Sequence, residues 1–115
     1  MLHIALHFIV PLLLALAFYR PRWRQAFLVL IATMLVDVDH LLADPIYDPD
    51  RCSIGFHPLH TWPAIVIYGL LFLLPFLHAR LSAGRKPMSG SARTLHLVGA
   101  GLLIHMALDW IDCLV

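Results

Sequence analysis

Three short runs carry the residue types that do chemistry: DVDH at 37–40, HPLH at 57–60 and HMALD at 105–109. Imidazole and carboxylate together suit zinc, manganese or iron, whereas carboxylate alone would suit a harder cation. On a helix, residues three or four apart share a face. Asp37 with His40 and His105 with Asp109 are therefore chelating pairs, and His57 with His60 has the same spacing at the start of an apolar run. His7 adds an imidazole from a fourth segment, deeper in it than His3. On a regular helix Asp39 stands about 160° away from Asp37. It must then serve a second metal, support a ligand from behind, or lie where the helix unwinds. The expected ligand set is His7, Asp37, Asp39, His40, His57, His60, His105 and Asp109. Each run also has a plainer reading: a solvated helix end for DVDH, a loop anchored by Phe56 and Trp62 for HPLH, and a His–Asp bond across one turn for HMALD.

The elements that position these residues are membrane helices. With 61% of its 115 residues hydrophobic and 13% charged, the chain is too apolar to cover itself as a soluble domain. Four apolar stretches approach the roughly 20 residues that cross a bilayer: Leu2–Tyr19, Ala26–Ala43, Trp62–Ala79 and Leu95–Val115. The small-residue run at Ala15–Ala17 looks like a signal-peptide cleavage site, but no Lys or Arg precedes the apolar stretch, so it reads as a retained first helix. The expected fold is all-α, one domain over residues 1–115, with four transmembrane helices in an up-down-up-down bundle. Pro11 and Pro75 should kink their helices, Gly99 and Gly101 permit close helix approach, and Tyr68, His78 and His96 read as packing or interfacial residues.

Charge then separates the two ends. Seven of the eight basic residues, Arg20, Arg22, Arg24, Arg80, Arg85, Lys86 and Arg93, fall between the first and second or the third and fourth stretches. By the positive-inside rule those connections are cytoplasmic, and both termini face outward. All seven acids, Asp37, Asp39, Asp44, Asp48, Asp50, Asp109 and Asp112, fall at the other end. Carboxylates crowded together in a bilayer repel one another, and a metal ion is the simplest source of the positive charge they lack. Arg51 is the one outer cation and could hold a phosphate bidentately, or pair with a loop aspartate. Cys52 and Cys113 both fall on the outer side, where an oxidising compartment permits a disulfide; two cysteines alone do not decide it.

Laid out in this order on four short helices, LVDVDH, HPLH and HMALD resemble the YdjM-like group of small bacterial inner-membrane proteins, described as membrane-bound metal-dependent hydrolases. By that resemblance the early histidine of the family matches His3 or His7, its D-x-D-H motif matches Asp37, Asp39 and His40, and its late H-x-x-x-D matches His105 and Asp109. The middle motif departs from the family pattern, in which the histidines stand five apart with an Arg-Gly. Here His57 and His60 stand three apart.

The first expected function is a hydrolase at the outer leaflet of a bacterial inner membrane. One or two divalent ions, Zn first and Mn or Fe after it, would activate water against a lipid or lipid-linked phosphoester. Asp39 or Asp112 would be the general base and Arg51 a phosphate contact. The alternative is a membrane protein that binds or handles metal without catalysis, which the missing arginine motif favours. Haem ligation by paired histidines and a proton relay rank lower, because of the many aspartates and the one-sided placement of the polar residues. The expected partner is membrane lipid. Short basic loops explained by topology give no case for nucleic acid, and a homodimer would enlarge the interior that shields a site.

Overall fold

A computed structural model describes residues 2–42, 52, 54–82, 84 and 87–114, with the side chains of Leu2, His3 and His40 outside that description. Among the described residues the chain is all-helical. Helix α1 spans Leu2–Phe18, α2 Trp23–Ala32, α3 Trp62–Leu81 and α4 Gly90–Leu114. A 3₁₀ turn at Arg20–Arg22 joins α1 to α2, α2 runs on into a 3₁₀ segment at Thr33–Leu42, and a third 3₁₀ turn, Pro58–His60, precedes α3. Two helices, Trp62–Leu81 and Gly90–Leu114, are long and apolar enough to cross a membrane.

Helix α4 is the centre of the fold. It begins five residues before the apolar stretch because Ser89 caps it, its hydroxyl accepting from the Ala92 amide at 3.2 Å. Its buried residues Leu97, Ala100 and Met106 pack against Ala15 of α1, Ala26 and Leu30 of α2, and Val36 and Tyr68. The two central glycines serve two different neighbours. A Cβ on Gly99 would fall into the α3 backbone, 2.8 Å from the Tyr68 oxygen and against Leu71 and Phe72, while one on Gly101 would strike the side chain of Thr33. Backbone cannot move aside as a flexible side chain can. Gly99→Ala is therefore expected to cost about 1–3 kcal/mol by overpacking. Gly69→Ala, with open space where the Cβ would go, should cost nothing; equal melting temperatures of the two variants in detergent would contradict the close approach.

The 3₁₀ segment departs from the regular helix expected over Ala26–Ala43, and its cause is local. The Thr33 hydroxyl donates to the Leu30 carbonyl, the acceptor that the Met34 amide would use in a continuing α-helix. From that point the chain turns three residues at a time. Thr33, Val36 and Asp39 form a buried row, while Leu35, Val38 and Leu41 form an exposed one.

The helices alternate in direction. At one end the start of α1, the 3₁₀ segment, the start of α3 and the end of α4 bring His7, Asp37, His60 and Asp109 together. At the other end, the Tyr19 hydroxyl after α1 donates to His96 Nε2 (2.8 Å), and His96 Nδ1 donates to the Phe72 carbonyl of α3 (2.8 Å). His96 is thus a buried tie between three elements, with its ring stacked on Phe72 at 4.5 Å.

Candidate metal centre

A loop that is exposed over residues 55–60 except at His57 and His60 delivers the histidine that precedes α3. Gly55, with φ of 84°, makes the left-handed turn that only glycine adopts readily, and its amide donates to the His60 carbonyl at 3.0 Å. Pro58 opens the 3₁₀ turn, the His60 amide donates to the His57 carbonyl (2.9 Å), and the Tyr68 hydroxyl donates to the Leu59 carbonyl (2.8 Å). A disulfide between Cys52 and Cys113, with Cα atoms 5.3 Å apart, fastens this loop to the end of α4. This answers the question that cysteine count left open.

Four side chains converge below the loop. One ligand atom from each of Asp37, His60, His105 and Asp109 lies within 4.8 Å of all the others. His60 Nε2 is 3.3 Å from Asp37 Oδ1 and 3.1 Å from Asp109 Oδ2. His105 Nε2 is 2.9 Å from the same Asp37 oxygen and 3.3 Å from the same Asp109 oxygen. Each imidazole nitrogen thus faces two carboxylate oxygens, although a single N–H can point at only one. A divalent ion would satisfy all four. Ligands 2.0–2.1 Å from a tetrahedral ion stand roughly 3.3 Å apart, so these four separations have the length of the edges of such a shell. The donor set, two imidazoles and two carboxylates, also fits a borderline transition metal.

Other groups hold the four in place. His60 Nδ1 donates to Asp39 Oδ2 at 3.0 Å, and the same oxygen accepts from the Leu59 amide at 2.8 Å. Asp39 therefore stands behind His60 and fixes the tautomer that aims Nε2 inward. It is not among the four converging atoms. His7 also lies one layer out: its Nε2 is 3.3 Å from Asp109 Oδ1, the oxygen turned away from the histidine pair, and its ring meets that of His105 edge-on at 4.5 Å. His57 is buried against Phe56 and His60 rather than joining the four. Asp112 lies on the exposed side of α4. Arg51, Asp44, Asp48 and Asp50 lie outside the described residues, as does the His40 side chain. Of the eight expected ligands, then, Asp37, His60, His105 and Asp109 meet at one point, with Asp39 and His7 supporting them.

Electrostatics agree with the geometry. Burial by itself would lower the pKa of His60, but Asp109, Asp37 and Asp39 outweigh it, and the imidazole is pushed up to about 10. At neutral pH the metal-free site holds a proton on His60 that a metal must displace. Asp39→Asn keeps the shape and removes the charge behind His60. The expected result is a 10–100-fold weaker metal affinity, measured by competition with a chromophoric chelator; unchanged affinity would mean that Asp39 does not orient the ligand.

Comparison with known proteins finds no match among curated proteins and none among solved structures. A family model does match, and nothing in that match links the chain to the YdjM-like hydrolases. The match covers residues 1–84, taking in His7, Asp37, Asp39 and His60 and stopping before the α4 pair, and by it the chain belongs to DUF6122, a family of unknown function.

Proposed function

We propose that this chain is a four-span membrane protein holding one divalent metal ion, zinc by the fit of its donor set, at the outward-facing ends of its helices. The observation that carries the reading is the set of four separations from 2.9 to 3.3 Å joining two imidazoles to two carboxylates. Among the described residues there is one such group, which favours one ion over two.

Membrane placement rests on several supports. Helix α3 exposes Val66, Ile67, Leu70, Leu74 and Leu77, and the 3₁₀ segment exposes Leu35, Val38 and Leu41, more apolar surface than suits water. Helix α1, at 17 residues, is about 26 Å long. The ten residues of α2 and the ten of the 3₁₀ segment reach about 35 Å together, because 3₁₀ geometry rises about 2.0 Å per residue. Trp62 and Trp110 meet edge-on at 5.6 Å near the metal end, where interfacial tryptophans gather. The disulfide belongs to an oxidising compartment, the same side that the basic connections leave for the metal. With the resemblance noted above, the membrane is a bacterial inner membrane and the site faces the periplasm.

A second reading, hydrolysis of a lipid or lipid-linked phosphoester, is favoured by one feature. The Asp37 side chain is 42% exposed, whereas His60 and Asp109 are 0% and 6% exposed. The centre is therefore open on the Asp37 side. A metal bound there would supply Lewis acidity and a water of lowered pKa. On this reading Asp112, exposed and three residues beyond Asp109, would be the group that accepts the proton.

Elemental analysis of detergent-purified protein tests the first reading. About one zinc per chain is expected, with an affinity that rises as pH rises through neutrality because a proton leaves. Protein that takes up no metal after incubation with zinc, manganese or iron would end it. For the second reading, release of phosphate from vesicle-borne phosphoesters should stop on chelation and in Asp112→Asn; metal-loaded protein without turnover would leave the binding role alone.

A further inference from the structure

Away from the metal, the basic end of the bundle has its own cavities. A cleft of about 570 Å³ lies between α1 and α3 on a floor of α4, walled by Leu14, Phe18, Phe72, Phe76, Ala100 and Ile104. Beside it a smaller cavity of about 260 Å³ is lined by Tyr19, Arg22, Gln25, Arg93 and Leu97. Phe18 and Tyr19 line both, so the charged cavity and the apolar cleft adjoin.

We propose that the two together bind an anionic phospholipid of the cytoplasmic leaflet, with the phosphate between Arg22 and Arg93 and an acyl chain in the cleft. Charge complementarity carries the argument. Arg22 and Arg93, from different helical segments, line one small cavity, Arg93 also donating to the Met88 carbonyl at 3.4 Å, and among the described residues every aspartate lies at the other end of the bundle. Guanidinium binds phosphate bidentately, and basic pockets between membrane helices on the cytoplasmic side are where anionic headgroups bind. The cleft has the size of a small-molecule site and an almost wholly apolar wall. Its shape is set in advance, because the His96 tie holds Tyr19, which lines both cavities, against α3 and α4. This assignment rests on the four-span reading and is independent of the metal.

Native mass spectrometry of the full chain in detergent tests it, with dioleoylphosphatidylglycerol offered against dioleoylphosphatidylcholine. Each arginine near a phosphate contributes about fivefold, so a preference of about 30-fold for the anionic lipid is expected. Arg22→Gln with Arg93→Gln should abolish that preference while bound zinc stays unchanged. A charge-matched control, Arg24→Gln with Arg80→Gln, removes two arginines that stack on Trp23 and Phe76 and line neither cavity, and should keep it. Equal loss in the control pair would reduce the effect to general surface charge and overturn the site. Displacement by inorganic phosphate or by a short-chain phosphatidylglycerol as effective as the dioleoyl lipid would overturn the acyl-chain half. Extraction of the chain from membranes by alkaline carbonate would show instead that the four-span reading itself has failed.

Discussion

Asp109→Asn should empty the metal centre. Oδ2 of Asp109 faces both His60 and His105, and Oδ1 meets His7, so one carboxylate joins the imidazoles of three segments. Losing a group one layer out typically weakens a metal site 10–100-fold; losing a ligand should exceed about a hundredfold and leave purified protein without zinc. Asparagine has nearly the volume of aspartate, so no cavity forms and the effect is one of charge. In the metal-free state the same change leaves buried histidines facing an uncharged amide, a loss of about 3–5 kcal/mol when one partner of a buried pair is removed. The comparison variant is Asp112→Asn on the exposed side of the helix, which should keep its zinc. Retention of zinc by Asp109→Asn would mean that the ion, if bound, is held elsewhere.

The second large effect is expected from opening the disulfide. Cys52 and Cys113 are 61 residues apart in sequence, and the loop they close contains α3 and nearly all of α4. Replacing both by serine should cost about 2–5 kcal/mol, chiefly by restoring freedom to the unfolded chain. It should also loosen the metal, since the bridge fastens the loop that presents His60 to the helix that presents Asp109. Unfolding by chemical denaturant in detergent, followed with and without zinc and with and without a dithiol reductant, measures both. A serine variant with an unchanged midpoint would show that packing alone secures the loop.

Much of the centre was legible because its chemistry is written in residue types. Acids confined to one end of an apolar chain have few uses, and the four-residue spacing of His105 and Asp109 survives as a chelating face on α4. Helix periodicity alone leaves Asp39 three roles, and the structure combines two of them: it supports His60 from behind, on a segment that leaves α-helical geometry. The sequence does hold a signal for the change: Leu35, Val38 and Leu41 repeat every three residues, as do Thr33, Val36 and Asp39. A period of three instead of 3.6 marks 3₁₀ geometry, and it turns Asp39 inward with the buried row. The choice between His57 and His60 could not come from spacing. It depends on the Gly55 turn and on the hydrogen bonds that aim one ring downward and leave the other beside Phe56. Hydrophobicity marks only Leu95–Val115, whereas α4 starts at Gly90 behind the Ser89 cap, a polar signal that an apolar count does not register. The Tyr19–His96 bond joins residues 77 apart and has no local signature at all.

The bridge also imposes a timetable. A chain is made from its N-terminus, so Cys52 and the loop carrying His60 exist well before α4 does. The bond to Cys113 has to wait until both α3 and α4 have been synthesised and the end of α4 has come back beside that loop. His105 and Asp109 arrive with the same helix. Until then a growing chain presents Asp37 and His60 with half of their shell missing, a poor trap for any ion. Oxidation, and with it completion of the four-residue cluster, is thus a late event of biosynthesis, reserved for a chain whose α4 is in place.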